Sequence, residues 1–180
     1  MAWIAKQSAT MQIDRRVEPY LTEQMRTELR DKILPRYEQR MGALLPALHM
    51  IQHAYGWIPA QAMEEIATEL DIPAADVMDT ATFYEEYWLK PKGRNLIAVC
   101  RSIACEFCGA GKVTEAVKDK LGIDVGETTD DEAFTLVELE CVGSCGTAPA
   151  ILINETLHED VTPEQIGKLI DEARKGGAGH

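Results

Sequence analysis

The sequence predicts an α+β protein in two parts: an N-terminal four-helix bundle over residues 17–90, then a compact α/β layer over residues 94–175. Three observations carry this reading. In the first part apolar residues return every three or four positions, the period of a half-buried helix. After Lys90-Pro91-Lys92-Gly93, which has the composition of a linker, the period changes to short apolar runs separated by helical stretches. The cysteines fall only in the second part, where the pairs Cys100-x4-Cys105 and Cys141-x3-Cys145 each follow an apolar run.

The first helix is expected from the stripe Leu21, Met25, Leu29, Ile33 and Tyr37, with Thr22 as its cap and Pro35 as a bend or end. A second places Leu44, Leu48, Ile51 and Tyr55 on one side and breaks at Gly56. A third runs from Pro59 to about Leu70 with Met63, Ile66, Ala67 and Leu70 inward, and Pro73 starts a fourth that carries Val77, Met78 and Ala81 towards Trp88. Beyond the linker, Asn95-Leu96-Ile97-Ala98-Val99 reads as a buried strand that delivers Cys100 to a loop at the sheet edge. Ala110, Val113, Ala116, Val117 and Leu121 mark a helix closed by Gly122. A second strand, Phe134 to Glu140, ends at Cys141; a third, Ala150-Ile151-Leu152-Ile153, leads to a turn at Asn154-Glu155, and Thr162-Pro163-Glu164-Gln165 opens a final helix through Ala173. The order strand, helix, strand, strand, helix puts both cysteine pairs at strand ends, where loops converge.

Composition narrows the function classes. A formal charge of -12 opposes binding to phosphate backbones and favours basic or mixed-charge protein partners. No apolar run approaches the roughly 20 residues of a membrane span. Met1-Ala2-Trp3-Ile4-Ala5-Lys6 lacks an extended apolar leader core, so a cytoplasmic location is expected. Helices three and four resemble a helix-turn-helix. However, the would-be recognition helix carries Asp76, Asp79, Glu85 and Glu86 and has no basic residue before Lys90, which argues against DNA.

Four thiolates gathered into two adjacent loops can surround a small metal centre, as in iron–sulfur and zinc sites. A disulfide framework fits less well, because 180 residues build a core without staples. Two ligand sets compete. Cys100, Cys105 and Cys108 spell C-x4-C-x2-C, the plant-type run whose fourth ligand lies further on. The set Cys100, Cys105, Cys141 and Cys145 is favoured, because the other strands one member of a tight pair whose Gly143 and Gly146 suit a close loop; Cys108 is then a spare thiol. The four-residue gap is wider than usual zinc knuckles, which favours iron–sulfur. Amides at Gly143 and Gly146 are candidate donors to sulfur, raising the reduction potential. Glu138, Glu140 and Asp130-Asp131-Glu132 oppose this if close, with Arg101 as a partial offset.

At Tyr55-Gly56-Trp57-Ile58-Pro59, Ala81-Thr82-Phe83-Tyr84, Cys100 with Cys105, and Cys141-Val142-Gly143-Ser144-Cys145-Gly146-Thr147-Ala148-Pro149, the chain closely resembles a known family. This is the small thioredoxin-like [2Fe-2S] subunit of NADH:quinone oxidoreductase, respiratory complex I, and the likeness runs from about Tyr37 to Lys175. The resemblance implies a thioredoxin-like fold for the second part and Cys100, Cys105, Cys141 and Cys145 as ligands of one [2Fe-2S] cluster, with Cys108 outside the ligand pattern. It implies an electron-transfer subunit that binds a flavoprotein subunit holding FMN and oxidising NADH, within the peripheral arm of a complex at the inner membrane. It implies no catalytic residue on this chain, and a cis proline at Ala148-Pro149, where thioredoxin-like folds place one before a strand. Similar subunits serve NAD-linked hydrogenases and formate dehydrogenases.

Other signals have plainer readings. No strand is followed by the glycine fingerprint of a dinucleotide fold; Gly109-Ala110-Gly111 supplies only G-x-G. Cys105-Glu106-Phe107-Cys108 has the spacing of a dithiol oxidoreductase, but that chemistry leaves the second pair without purpose. A free-standing ferredoxin or zinc-stabilised module has no need of the helical half. His49 and His53 share a helix face with no obvious further ligand, so packing is expected, as it is for Tyr84, Tyr87 and Trp88.

Overall fold

The computed structural model describes residues 15–176. The expectation that the chain begins without a leader concerns residues 1–14 and lies outside the described residues. The described chain divides into two compact units, which join in sequence between Pro91 and Lys92.

In the first unit Thr22 caps helix α1 (Glu23–Glu28), its hydroxyl accepting the Met25 N–H at 3.3 Å. The helix then widens to a π turn over Leu29–Ile33 and tightens to a 3-10 turn over Leu34–Arg36 that holds Pro35. The sequence predicts one helix that Pro35 bends or ends, whereas the α-helix gives way earlier, at Leu29, and the repeat itself explains the difference. At 3.6 residues per turn, each four-residue step overshoots a full turn by about 40°. The stripe therefore drifts off a straight α-helix, and the π turn, closed by the Leu34 N–H on the Leu29 carbonyl, takes up the drift. Leu21 and Leu29 are buried, while Tyr37 lies past the end and is exposed.

Helices α2 (Leu44–Tyr55), α3 (Ala60–Leu70) and α4 (Ala74–Phe83) follow. Gly56 stops α2 in a left-handed conformation at φ 78°, and Pro59 and Pro73 stand immediately before α3 and α4. Leu44, Leu48, Ile51, Met63, Ile66, Leu70, Val77, Ala81 and Tyr87 form one core. Above it Glu69, whose side chain is only 6% exposed, takes Arg26 Nη1 at 2.6 Å and Arg30 Nε at 2.5 Å. The Arg30 guanidinium first, and Arg26 after it, hold this carboxyl below the usual carboxylate range.

The second unit is a mixed four-stranded sheet in the order β2-β1-β3-β4, with β1 Asn95–Cys100, β2 Phe134–Leu139, β3 Ile151–Ile153 and β4 Thr156–His158. β1 and β2 are parallel, and α5 (Ile103–Phe107) and α6 (Ala110–Leu121) lie between them in the chain; β3 is antiparallel to β1, and β4 to β3. The final helix α7 (Pro163–Gly176) packs on α6. Gly93 is buried, donating its N–H to Thr135 Oγ1 at 2.7 Å, and a Cβ there would stand 2.6 Å from the Phe134 backbone. The Ala148-Pro149 peptide is cis.

Two elements go beyond the sequence expectation. β4 is three residues long, with an exposed, weakly apolar face that gives no periodic signal, and it forms only because Asn154 takes φ 55° and folds the chain back on β3. α5 is a single turn that follows Ser102 within the first cysteine loop.

Candidate metal centre

Parallel pairing sets the site. The register places Cys100 opposite Leu139, so β1 and β2 finish side by side and release their loops at the same sheet edge. Cys100 is the last residue of β1, Cys105 lies on α5, Cys141 follows β2 after one residue, and Cys145 begins a 3-10 turn over Cys145–Thr147. Cys100 and Cys105 are buried, and Cys141 and Cys145 are exposed; all five cysteines are free.

The thiols of Cys100 and Cys145 both act on Cys105, and those of Cys145 and Cys100 both act on Cys141. The structure thus gathers Cys100, Cys105, Cys141 and Cys145. Cys108 lies exposed at the C-terminal end of α5. Among the described residues no three histidine, cysteine, aspartate or glutamate side chains surround a single metal-ion position.

The environment is asymmetric. Burial pushes the Cys105 thiol up, partly offset by the Ala150 N–H, which donates to its sulfur. Cys141 is drawn down, chiefly by the Gly143 N–H, which reaches Sγ at 3.3 Å, with the Ser102 hydroxyl adding to it. Gly143 takes φ 80°, the left-handed turn that lets its amide face back towards Cys141. Sequence reasoning finds Gly143 but misses Ala150 and Ser102. Ala150 is placed by strand pairing, since its carbonyl accepts the Cys100 N–H at 3.1 Å while its own N–H serves Cys105. No local signal marks that role. Gly146, the other candidate donor, has open space where a Cβ would stand.

Of the charged residues singled out, Arg101 pairs with Glu140, with Nε 3.0 Å from Oε1. Glu138 accepts from Thr114 Oγ1 at 3.3 Å. Asp130-Asp131-Glu132 precede β2, at the end of the parallel pair opposite the cysteines, and Asp131 pairs there with Arg174 at 3.1 Å. Those three carboxylates therefore do not crowd the thiols. His49 and His53 lie exposed on α2 with ring centroids 6.1 Å apart, and the His49 ring lies 5.1 Å from that of the buried Tyr87, tilted by 57°. Tyr84 is exposed. Among the described residues no helix is long and apolar enough to cross a membrane.

Four soft thiol donors, two from each loop and served by amide and hydroxyl donors, suit a cluster of iron and sulfide. Comparison with known proteins identifies which. The family described as thioredoxin-like [2Fe-2S] ferredoxin matches residues 30–174. The E subunit of NADH-quinone oxidoreductase from Pseudomonas aeruginosa is 38% identical over 165 residues, covering 92% of this chain and 97% of that protein. The HndA subunit of NADP-reducing hydrogenase from Solidesulfovibrio fructosivorans is 37% identical over 134 residues, covering 74% and 78%. Among solved structures, an NAD+-reducing [NiFe]-hydrogenase in its H2-reduced state aligns with TM-score 0.65 at 26% identity over 77% of this chain, which spans about a quarter (23%) of the hydrogenase chain. On this likeness the chain belongs to the thioredoxin-like [2Fe-2S] ferredoxins, among relatives that include the E subunits of NADH-quinone oxidoreductases.

Proposed function

We propose that this chain is the electron-transfer iron–sulfur subunit of an NADH-oxidising module, with Cys100, Cys105, Cys141 and Cys145 as the ligands of one [2Fe-2S] cluster. A bound [2Fe-2S] cluster supplies one-electron transfer. The observation that carries the reading is the gathering of these four thiols from two loops, with one pair buried and the other at the surface. The buried pair anchors the site to the sheet, and the exposed pair leaves a side open to a redox partner. Gly143, Ser102 and Ala150 orient the sulfurs and favour their thiolate forms.

The partner is a flavoprotein subunit that holds FMN and binds NADH, and the pair sits with further subunits in the peripheral arm of NADH:quinone oxidoreductase, on the cytoplasmic side of the inner membrane. The helical unit of α1 to α4, a four-helix bundle in this reading, serves docking. A second reading, the equivalent subunit of an NAD-linked hydrogenase, is favoured by the likeness to hydrogenase subunits. Purification of the native assembly separates the two: quinone-reductase subunits support the first, and a nickel-bearing subunit the second. In either case NADH reduces the cluster only when the flavoprotein is present. Reduction of the isolated chain by NADH contradicts the reading.

A further inference from the structure

Outside the ligands, one side chain ties the second cysteine loop to the rest of the fold. Glu159, in the connection between β4 and α7, accepts hydrogen bonds at Oε1 from both the Ser144 and the Thr147 hydroxyls. The two hydroxyl oxygens lie 2.7 Å apart, each with its single proton directed to the carboxylate. Ser144 immediately precedes Cys145, and Thr147 closes the 3-10 turn that Cys145 opens, its N–H reaching the Ser144 carbonyl at 3.2 Å. The backbone fastens the same segments, with Asp160 N–H on the Thr147 carbonyl at 2.9 Å and Val161 N–H on the Pro149 carbonyl at 3.0 Å. The carboxylate therefore grips the two residues that bracket Cys145 and Gly146, on the exposed side of the site where the sheet lends no support.

We propose that Glu159 is a positioning residue for the cluster: it latches the Ser144–Thr147 turn so that the Cys145 thiolate is held towards the other three, and its negative charge lowers the reduction potential. The proposal rests on Cys145 being a ligand. Two consequences separate geometry from charge. The grip needs only an acceptor at Oε1, which glutamine retains. The field needs the charge, which glutamine removes.

The test compares the full chain as wild type, Glu159→Gln, Glu159→Ala and Ser144→Ala/Thr147→Val. Cluster release to a chelator, the reduction potential and the paramagnetic spectrum are followed in each. Loss of an outer contact to a ligand typically costs about 10- to 100-fold in metal affinity. Glu159→Ala should therefore release the cluster about tenfold faster or more. Glu159→Gln should retain it nearly as wild type while its potential moves upward. The Ser144→Ala/Thr147→Val chain should release it as Glu159→Ala does, and adding Glu159→Ala to that pair should add little. Wild-type retention in Glu159→Ala overturns the latch, as does full additivity of the two sets of changes. An unmoved potential in Glu159→Gln overturns the charge role. A wild-type chain that assembles no cluster instead refutes the proposed function.

Discussion

Cys100 lies level with Leu139 across the parallel ladder of β1 and β2. Because the two strands point the same way, that register fixes where both cysteine loops begin. The chain needs only Arg101 to Ala104 on one side, and Glu140 with Val142 to Ser144 on the other, to bring four thiols together. A parallel pair thus does for this site what a hairpin cannot, because a hairpin's strands end at opposite edges.

Serine at any one of positions 100, 105, 141 and 145 should abolish or severely damage the cluster, read as lost visible absorbance and lost iron. Cys108→Ser should leave it assembled, since that thiol is exposed and lies outside the proposed ligand set. Cluster loss in Cys108→Ser with survival in Cys145→Ser would select the plant-type ligand set instead.

Glu69 should govern the acid stability of the helical unit. Its folded carboxyl lies below its unfolded value, so the stability it contributes is present above the ordinary carboxylate range and is lost as pH falls through the folded value. Glu69→Ala should cost ~2 kcal/mol at neutral pH, because a buried carboxylate that accepts from two guanidinium groups is removed and Arg26 is left without it. Urea unfolding at pH 7 and pH 4 should show wild type losing more stability between the two than Glu69→Gln does. Equal losses would contradict the assignment.

Gly93→Ala should destabilise the sheet unit by about 1–3 kcal/mol, since the new methyl meets backbone rather than a yielding side chain. Gly167→Ala, in the interior of α7 where a Cβ would meet only Lys120 Nζ at 4.0 Å, should stabilise by about 0.5–1 kcal/mol. Thermal melts of the two variants should therefore move in opposite directions.

The isolated chain should not bind NADH by calorimetry. It carries no glycine fingerprint after a strand, and Gly109, at φ 97°, begins α6 beside an exposed thiol rather than a phosphate loop. Tight binding would place nucleotide chemistry on this chain and contradict the division of labour proposed above.

Much of this architecture is legible in residue order because it rests on local rules. Thr22, Gly56, Pro59 and Pro73 mark helix ends by their own backbone chemistry, and the change of period after Lys90 marks the sheet. The cysteine pairs are legible for the same reason, as each follows an apolar run that becomes a strand. What sequence does not reveal is set by pairing between distant segments. Ala150 reaches Cys105 because β3 lies antiparallel to β1. Ser102 precedes α5 without capping it by its side chain, and its hydroxyl donates to Cys141 instead. Glu159 looks like one acid in an acidic chain and instead holds two hydroxyls of the second loop. The π turn at Leu29–Ile33 lies between these cases: the four-residue repeat contains its cause, but only the packed core decides where the drift is taken up.

The most direct measurement of the central claim is the iron, zinc and acid-labile sulfide content of the chain purified without oxygen. A [2Fe-2S] cluster on these thiols requires about two irons and about two sulfides per chain, and no stoichiometric zinc. One zinc per chain without sulfide would contradict it.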